Sequence, residues 1–167
     1  MTVKAKVFAR IEADQTSGDA SWTPMQAKAL SLAHGTGVGQ CDLVYAREHE
    51  IASAGTLSLD LAGALEDGLG GTVIFAELVA LQIINQAEDG TANTTVITVG
   101  GGSNPFDGFW GTAGDQIVLN PGDGFLIFGS GAGGIGAVAA GTGDILQIAN
   151  ASGAAAKVQV TILGRSA

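Results

Sequence analysis

Alternation opens the chain. Val3, Ala5, Val7, Ala9 and Ile11 alternate with Lys4, Lys6, Phe8, Arg10 and Glu12. A period of two predicts a strand with one apolar face. Thr16-Ser17-Gly18-Asp19 then predicts a turn, and Pro24 holds Thr23 extended. Met25–Ala33 is ambiguous: its Ala, Gln, Lys and Leu favour helix, while its apolar positions alternate weakly. Strand is the favoured assignment, because the next element, Cys41–Arg47 after the glycine-rich His34–Gln40 loop, also reads as a strand. Leu57, Leu59 and Leu61 alternate with Ser58 and Asp60. Val73–Gln86 is long enough for a helix, but Val73, Ile74, Phe75, Val79, Ile83 and Ile84 are strand formers. The expectation is one long buried strand with a bulge near Glu77. Thr94–Val99 is β-branched, and Gly100–Gly114 reads as a loop. Gln116–Leu119, Phe125–Phe128 and Ile145–Ala149 are cut apart by Pro121-Gly122-Asp123-Gly124 and two glycine loops, and Lys157–Leu163 alternates strictly. About nine or ten strands and no convincing long helix predict an all-β chain. The expected architecture is an antiparallel β-sandwich of jelly-roll type.

Composition refines this picture. At 167 residues the chain is most simply one domain with a sizeable core. Only 5% of residues are aromatic against 46% hydrophobic, so Ala, Val, Ile and Leu must fill that core. The 27 glycines cluster between apolar runs and read as turns, bulges and close backbone approaches. The net charge of −9 is uneven: residues 1–55 hold five Lys/Arg against six Asp/Glu, and residues 56–167 hold two against ten. No Lys or Arg lies between Glu48 and Ala156. Nucleic-acid binding needs a basic face, so that partner is excluded, and an anionic membrane surface is disfavoured on the same ground. The 1–55 segment, which carries nearly all the basic charge and few glycines, predicts an arm or small sheet beside a 56–167 sandwich core, with one continuous domain as the alternative. Cys41 is the single cysteine, which rules out an intrachain disulfide. No signal-type or membrane-spanning apolar run is present, so a soluble product made in a cytoplasm is expected.

Candidate chemistry is sparse. Gly129-Ser130-Gly131-Ala132-Gly133-Gly134 fits G-x-G-x-x-G after an apolar strand. The context fails, because only Ile135–Ala140, broken by Gly136, precede Gly141-Thr142-Gly143, and no crossover helix fits there. A flexible connection between strands is the reading. Asp-Gly pairs at Asp67, Asp89, Asp107 and Asp123 are turn chemistry, and no calcium-loop spacing occurs. His34, Cys41 and His49 are spaced too widely for a zinc pattern. No G-x-S-x-G is present, and the carboxylate pairs Glu66/Asp67 and Glu88/Asp89 read as solvated turns. No catalytic, metal or cofactor residue is therefore assigned. The loop Asn104-Pro105-Phe106-Asp107-Gly108-Phe109-Trp110 gathers Phe106, Phe109 and Trp110. Such rings either stack on a sugar, or fold over the end of a sandwich, or bury in a subunit contact.

Residues 56–164, about two thirds of the chain, carry TLSLDLAGAL, VIFAELVALQIIN, GGSNPFDGFWG, DQIVLNPGDGFLIFGS, GTGDILQIANASG and VQVTILG. In these strands and turns the chain resembles the head decoration (cement) or head-fibre-like virion proteins of tailed bacteriophages. The resemblance implies a non-enzymatic β-sandwich virion protein, made in the host cytoplasm and seated on the capsid surface as a homotrimer. It would bridge neighbouring subunits of the major capsid protein, without cofactor. The more basic N-terminal segment would then dock on the shell, with Lys4, Lys6, Arg10 and Trp22 as candidate contacts. The alternative is a carbohydrate- or receptor-binding module of a phage head or tail fibre, working through Phe106, Phe109 and Trp110.

Overall fold

In the computed structural model, which describes residues 2–17, 20–151 and 153–167, the opening alternation builds a long ribbon. Its strands are β1 (Ala5–Glu12), β2 (Gln15–Ser17), β3 (Ala20–Trp22) and β4 (Met25–His34). β1 runs antiparallel to β4 from Ala5↔Leu32 to Glu12↔Met25. β2 pairs with β3 from Gln15↔Trp22 to Ser17↔Ala20. Pro24 has no N–H to give and interrupts the ladder, yet its carbonyl still accepts from Ala13 N–H at 3.2 Å. Gly18 and Asp19, half of the turn expected at 16–19, lie outside the described residues. Helix-favouring composition in β4 gives way to pairing along β1, as tertiary context commonly overrides propensity.

The rest of the chain supplies β5 (Gln40–Cys41), β6 (Leu43–Ile51), β7 (Thr56–Asp60), β8 (Leu65–Glu66), β9 (Thr72–Val73) and β10 (Glu77–Ile84). After these come β11 (Ile97–Gly100), β12 (Gln116–Leu119), β13 (Gly124–Phe128), β14 (Gly136–Ala137), β15 (Ile145–Asn150) and β16 (Ala156–Arg165). Among the described residues there is no helix. All ladders are antiparallel except β4–β5, which is parallel. Among the described residues ten strands have four residues or more, in line with the number that the alternation predicts.

Pairing is nested. The first long strand after the ribbon, β6, pairs with the last, β16. Inside that pair β7 meets β15, then β10 meets β13, and β11 meets β12. The result is two sheets, ordered β13-β10-β16-β6 (with β14 beside β10) and β12-β11-β15-β7. Leu81, Ile83, Val160 and Ile162 of the first share one core with Leu59, Ile97, Val99 and Ile148 of the second. β6, from the charged 1–55 segment, is thus an edge strand of the first of these sheets, while the ribbon strands form separate sheets, β1-β4-β5 and β2-β3.

The expected long strand over Val73–Gln86 is divided. Phe75 and Ala76 leave the ladder to donate to Leu61 O and Arg165 O, at 2.9 and 2.8 Å. A register shift then falls between Leu78 and Ala80, close to the expected bulge. It resets the alternation, so Leu78 and Leu81 both face the shared core while Val79 and Ala80 face the opposite side. There they meet Val3, Val7 and Leu32 at the base of the ribbon, which lies against the outer face of this sheet. The Thr94–Val99 strand starts only at Ile97, and the Thr95 carbonyl is held instead by the buried Asn85 side chain at 2.9 Å.

Candidate functional site

The ribbon is anchored only at its base. Val3 and Val7 are buried, but Ile11, next but one along the same face, is 76% exposed. The single buried face that alternation predicts therefore ends where the ribbon leaves the body. Beyond that point Phe8 is 55% and Trp22 65% exposed, and Met25 is exposed as well. A two-stranded ribbon alone in water is marginally stable, and among the described residues these side chains remain largely uncovered. Lys4, Lys6 and Arg10 are exposed along one side of β1, and Arg10 pairs with Glu12. With Trp22 at the far end of the ribbon, the four docking candidates lie on one projecting element.

The aromatic loop is built differently. Asn104 takes a left-handed φ of 50°, and its carbonyl accepts from Asp144 and Ile145 N–H at 3.1 and 3.0 Å. Phe106 N–H donates to Ile145 O at 2.8 Å, which ties the loop to β15. The Phe106 ring is 1% exposed and belongs to the shared core. Gly108 and Gly136 lie backbone to backbone beside it, leaving no room for a Cβ at either position. Phe109 sits 5.8 Å from Phe106 and 6.3 Å from Phe125, centroid to centroid, with Trp110 at 4.4 Å on its other side. The Trp110 indole N–H is buried without an acceptor. The rings pack on one another and on the sheet end: Phe106 is core, and Phe109 and Trp110 are half-buried.

The glycine-rich loop after β13 turns its acceptors inward. Arg165, 2% exposed at the end of β16, donates to Glu77 Oε2 at 2.8 Å and to Gly131 O at 3.1 Å. It also reaches Ser130 O at 3.4 Å and Gln40 O at 3.1 Å. Phosphate needs converging N–H donors; this loop presents carbonyls to a guanidinium. Arg165 escaped the sequence reading, although it is one of only two basic residues after residue 55 and directly follows an apolar strand.

Other polar residues are occupied locally. Asp67 Oδ1 accepts from Leu69 and Gly71 N–H at 2.8 and 2.7 Å, and Asp123 Oδ2 from Asn120 N–H at 2.9 Å. The first is an Asx turn; in the second the side chain reaches back to the N–H three residues before it. Asp67 is buried rather than solvated as expected, because its own turn folds over it. His34 Nδ1 accepts from Val3 N–H at 3.2 Å, Cys41 is buried, and His49 Nε2 is 2.8 Å from Tyr45 Oη. Among the described residues no three His, Cys, Asp or Glu side chains converge as a metal site. Burial, and then the charge of Arg47, holds His49 below the ordinary imidazole pKa. The unfolded chain therefore takes up this proton first. The His49 contribution to stability is expected to be constant above about pH 6.5 and to be lost as the pH drops from there through the folded value, with a slope below about 1.4 kcal/mol per pH unit. Urea unfolding of wild type and His49→Gln between neutral and acidic pH checks this, since the variant should lose that part of the slope.

Comparison of the chain with protein-family models, with curated proteins and with solved structures finds no match.

Proposed function

We propose that this chain is a non-enzymatic structural protein of a phage virion. It decorates the capsid surface and stabilises it by bridging neighbouring subunits of the major capsid protein. The observation that carries the reading is the ribbon. An acidic two-sheet body projects a strand pair that carries four of the chain's seven Lys/Arg, at Lys4, Lys6, Arg10 and Lys28. The same element exposes Phe8, Ile11, Trp22 and Met25. Apolar side chains held out on both sides of a thin ribbon favour burial against another protein. The fold agrees with this role. Eight strands in nested pairs, ordered β13-β10-β16-β6 and β12-β11-β15-β7 over one core, support a sandwich of jelly-roll type, an architecture that recurs in capsid proteins. The packing of Phe106, Phe109 and Trp110 on one another supports a structural role for that loop over a sugar-stacking one.

Co-sedimentation with purified capsid shells lacking this protein tests the proposal. Wild type is expected to bind saturably, and Trp22→Ala to bind roughly tenfold more weakly, as for loss of an aromatic anchor of about 1.4 kcal/mol. A wild-type chain that stays in the supernatant at every concentration refutes it.

A further inference from the structure

The free edge of β1 carries a pattern that complements itself. β1 is the outer strand of its sheet, with β4 on one side only. Ala13 N–H points inward, to Pro24. With a period of two, the N–H and C=O groups of Lys6, Phe8, Arg10 and Glu12 therefore point outward from the edge. Their side chains share one face, which Lys4 and Asp14 extend. From residue 4 to residue 14 that face reads Lys, Lys, Phe, Arg, Glu, Asp. Cations at one end and anions at the other invert about Ala9.

We propose that two copies of the chain pair antiparallel through β1, edge to edge, with Ala9 on the two-fold axis. In that register Lys6 lies opposite the partner's Glu12, and Lys4 opposite the partner's Asp14. Phe8 lies opposite the partner's Arg10, a cation over a ring. An isologous contact makes each of these pairs twice. On the other face Val7 meets the partner's Ile11, which covers the exposed end of that strand. Opposite charges across a ladder stabilise it and like charges weaken it, and this selects the register. A slip of two residues one way sets Lys6 against the partner's Arg10; a slip the other way sets Arg10 against the partner's Arg10. A slip of one residue puts outward-pointing backbone groups against inward-pointing ones. The edge is accessible: a groove of about 370 Å³ runs beside β1, floored by Gln82, Leu126 and Thr161 of the neighbouring sheet. Lysine on an edge strand commonly blocks such pairing. Here the acidic end of a second copy neutralises it, so the edge selects its own kind. This contact does not depend on the capsid reading: it takes up Lys4, Lys6, Phe8, Arg10 and Ile11 and leaves the exposed Trp22 and Met25 for a shell.

Light scattering on the full chain tests it without shells. Wild type is expected to contain an even number of chains: a dimer, or a hexamer if a three-fold association also forms. Lys6→Glu and Glu12→Lys each set like charges across the axis twice and should halve that mass. The double variant Lys6→Glu/Glu12→Lys restores the pairing and should restore the mass. Ala9→Cys should form an interchain disulfide on oxidation, because a non-hydrogen-bonded pair on the axis has a Cα separation of about 4.5 Å, within disulfide range, and Cys41 is buried. A monomeric or odd-numbered wild type, single variants of wild-type mass, or a double variant that stays dissociated overturns the proposal. Far-UV circular dichroism shows whether a charge variant has lost its fold. In that case Ala9→Cys, which reverses no charge, decides: failure to cross-link refutes the pairing.

Discussion

Phe106→Ala is expected to lower stability by about 3–5 kcal/mol, the usual loss for a fully buried aromatic ring. The melting temperature should fall by roughly 6–20 °C, at about 2–4 °C per kcal/mol for a chain of this length. The high value follows from the surroundings. Phe106 is in the shared core, at the end where β15 and the loop meet. The neighbouring Gly108 and Gly136 are already in backbone contact, so the loop has little freedom to collapse into the space left by the ring. Phe109 would also lose one of its aromatic neighbours. Trp110→Ala removes a half-buried ring and is expected to cost only about 0.5–1.5 kcal/mol, the range for an aromatic pair. Thermal and urea unfolding of the two variants side by side measures the contrast. If Phe106→Ala unfolds within about 1 kcal/mol of wild type, the loop is not seated in the core. If wild type binds a glycan and folded Trp110→Ala loses that binding, the carbohydrate reading gains and the structural one fails.

The difference between these neighbouring residues was not legible in the sequence. Spacing marks Phe106, Phe109 and Trp110 as one aromatic cluster, and only the fold separates the core ring from the half-buried ones. The deciding contacts come from Ile145, Ile135 and Gly136, far downstream of the loop, and no local pattern specifies them. Where a segment's environment is uniform along its length, the pattern suffices. β16 alternates buried and less buried residues from Ala156 to Ile162, as its apolar periodicity predicts, and its pairing with β6 runs through nine positions without a shift. Where the environment changes part-way, the pattern misleads. β1 alternates from end to end, yet only its first half has a sheet beneath it, so Val7 is buried and Ile11 is not. β10 contributes to two cores, and its bulge resets which residues face each one, so a strict alternation misassigns the positions on one side of it. The charge pattern of β1 was visible throughout. It acquires meaning only once the structure leaves that edge unpaired.

Arg165→Ala is expected to cost about 3 kcal/mol, the lower end of the range for breaking a buried ion pair, because Glu77 is partly exposed and water can reach its carboxylate. Three carbonyls, at Gln40, Ser130 and Gly131, lose their guanidinium donor in the same step, although Ser130 O keeps Gly39 N–H at 2.9 Å and Gly131 O keeps Gly134 N–H at 3.2 Å. Their positions explain why a single residue matters. Gln40 belongs to β5, Ser130 and Gly131 to the glycine-rich connection, and Glu77 to the start of β10. One planar group with several donors therefore joins three stretches that have no continuous ladder between them. Arg165→Lys keeps the charge but offers a single nitrogen, so it should recover less than half of the loss. Glu77→Gln keeps an acceptor for the guanidinium and should cost about 1 kcal/mol. Urea unfolding of the three variants should rank them Glu77→Gln, Arg165→Lys, Arg165→Ala from most to least stable. Equal stability of Arg165→Lys and wild type would assign the whole effect to charge. Wild-type stability in Arg165→Ala would mean that the glycine-rich connection holds itself in place through its own turn, Gly134 N–H to Gly131 O, and through Ile135 N–H to Leu78 O.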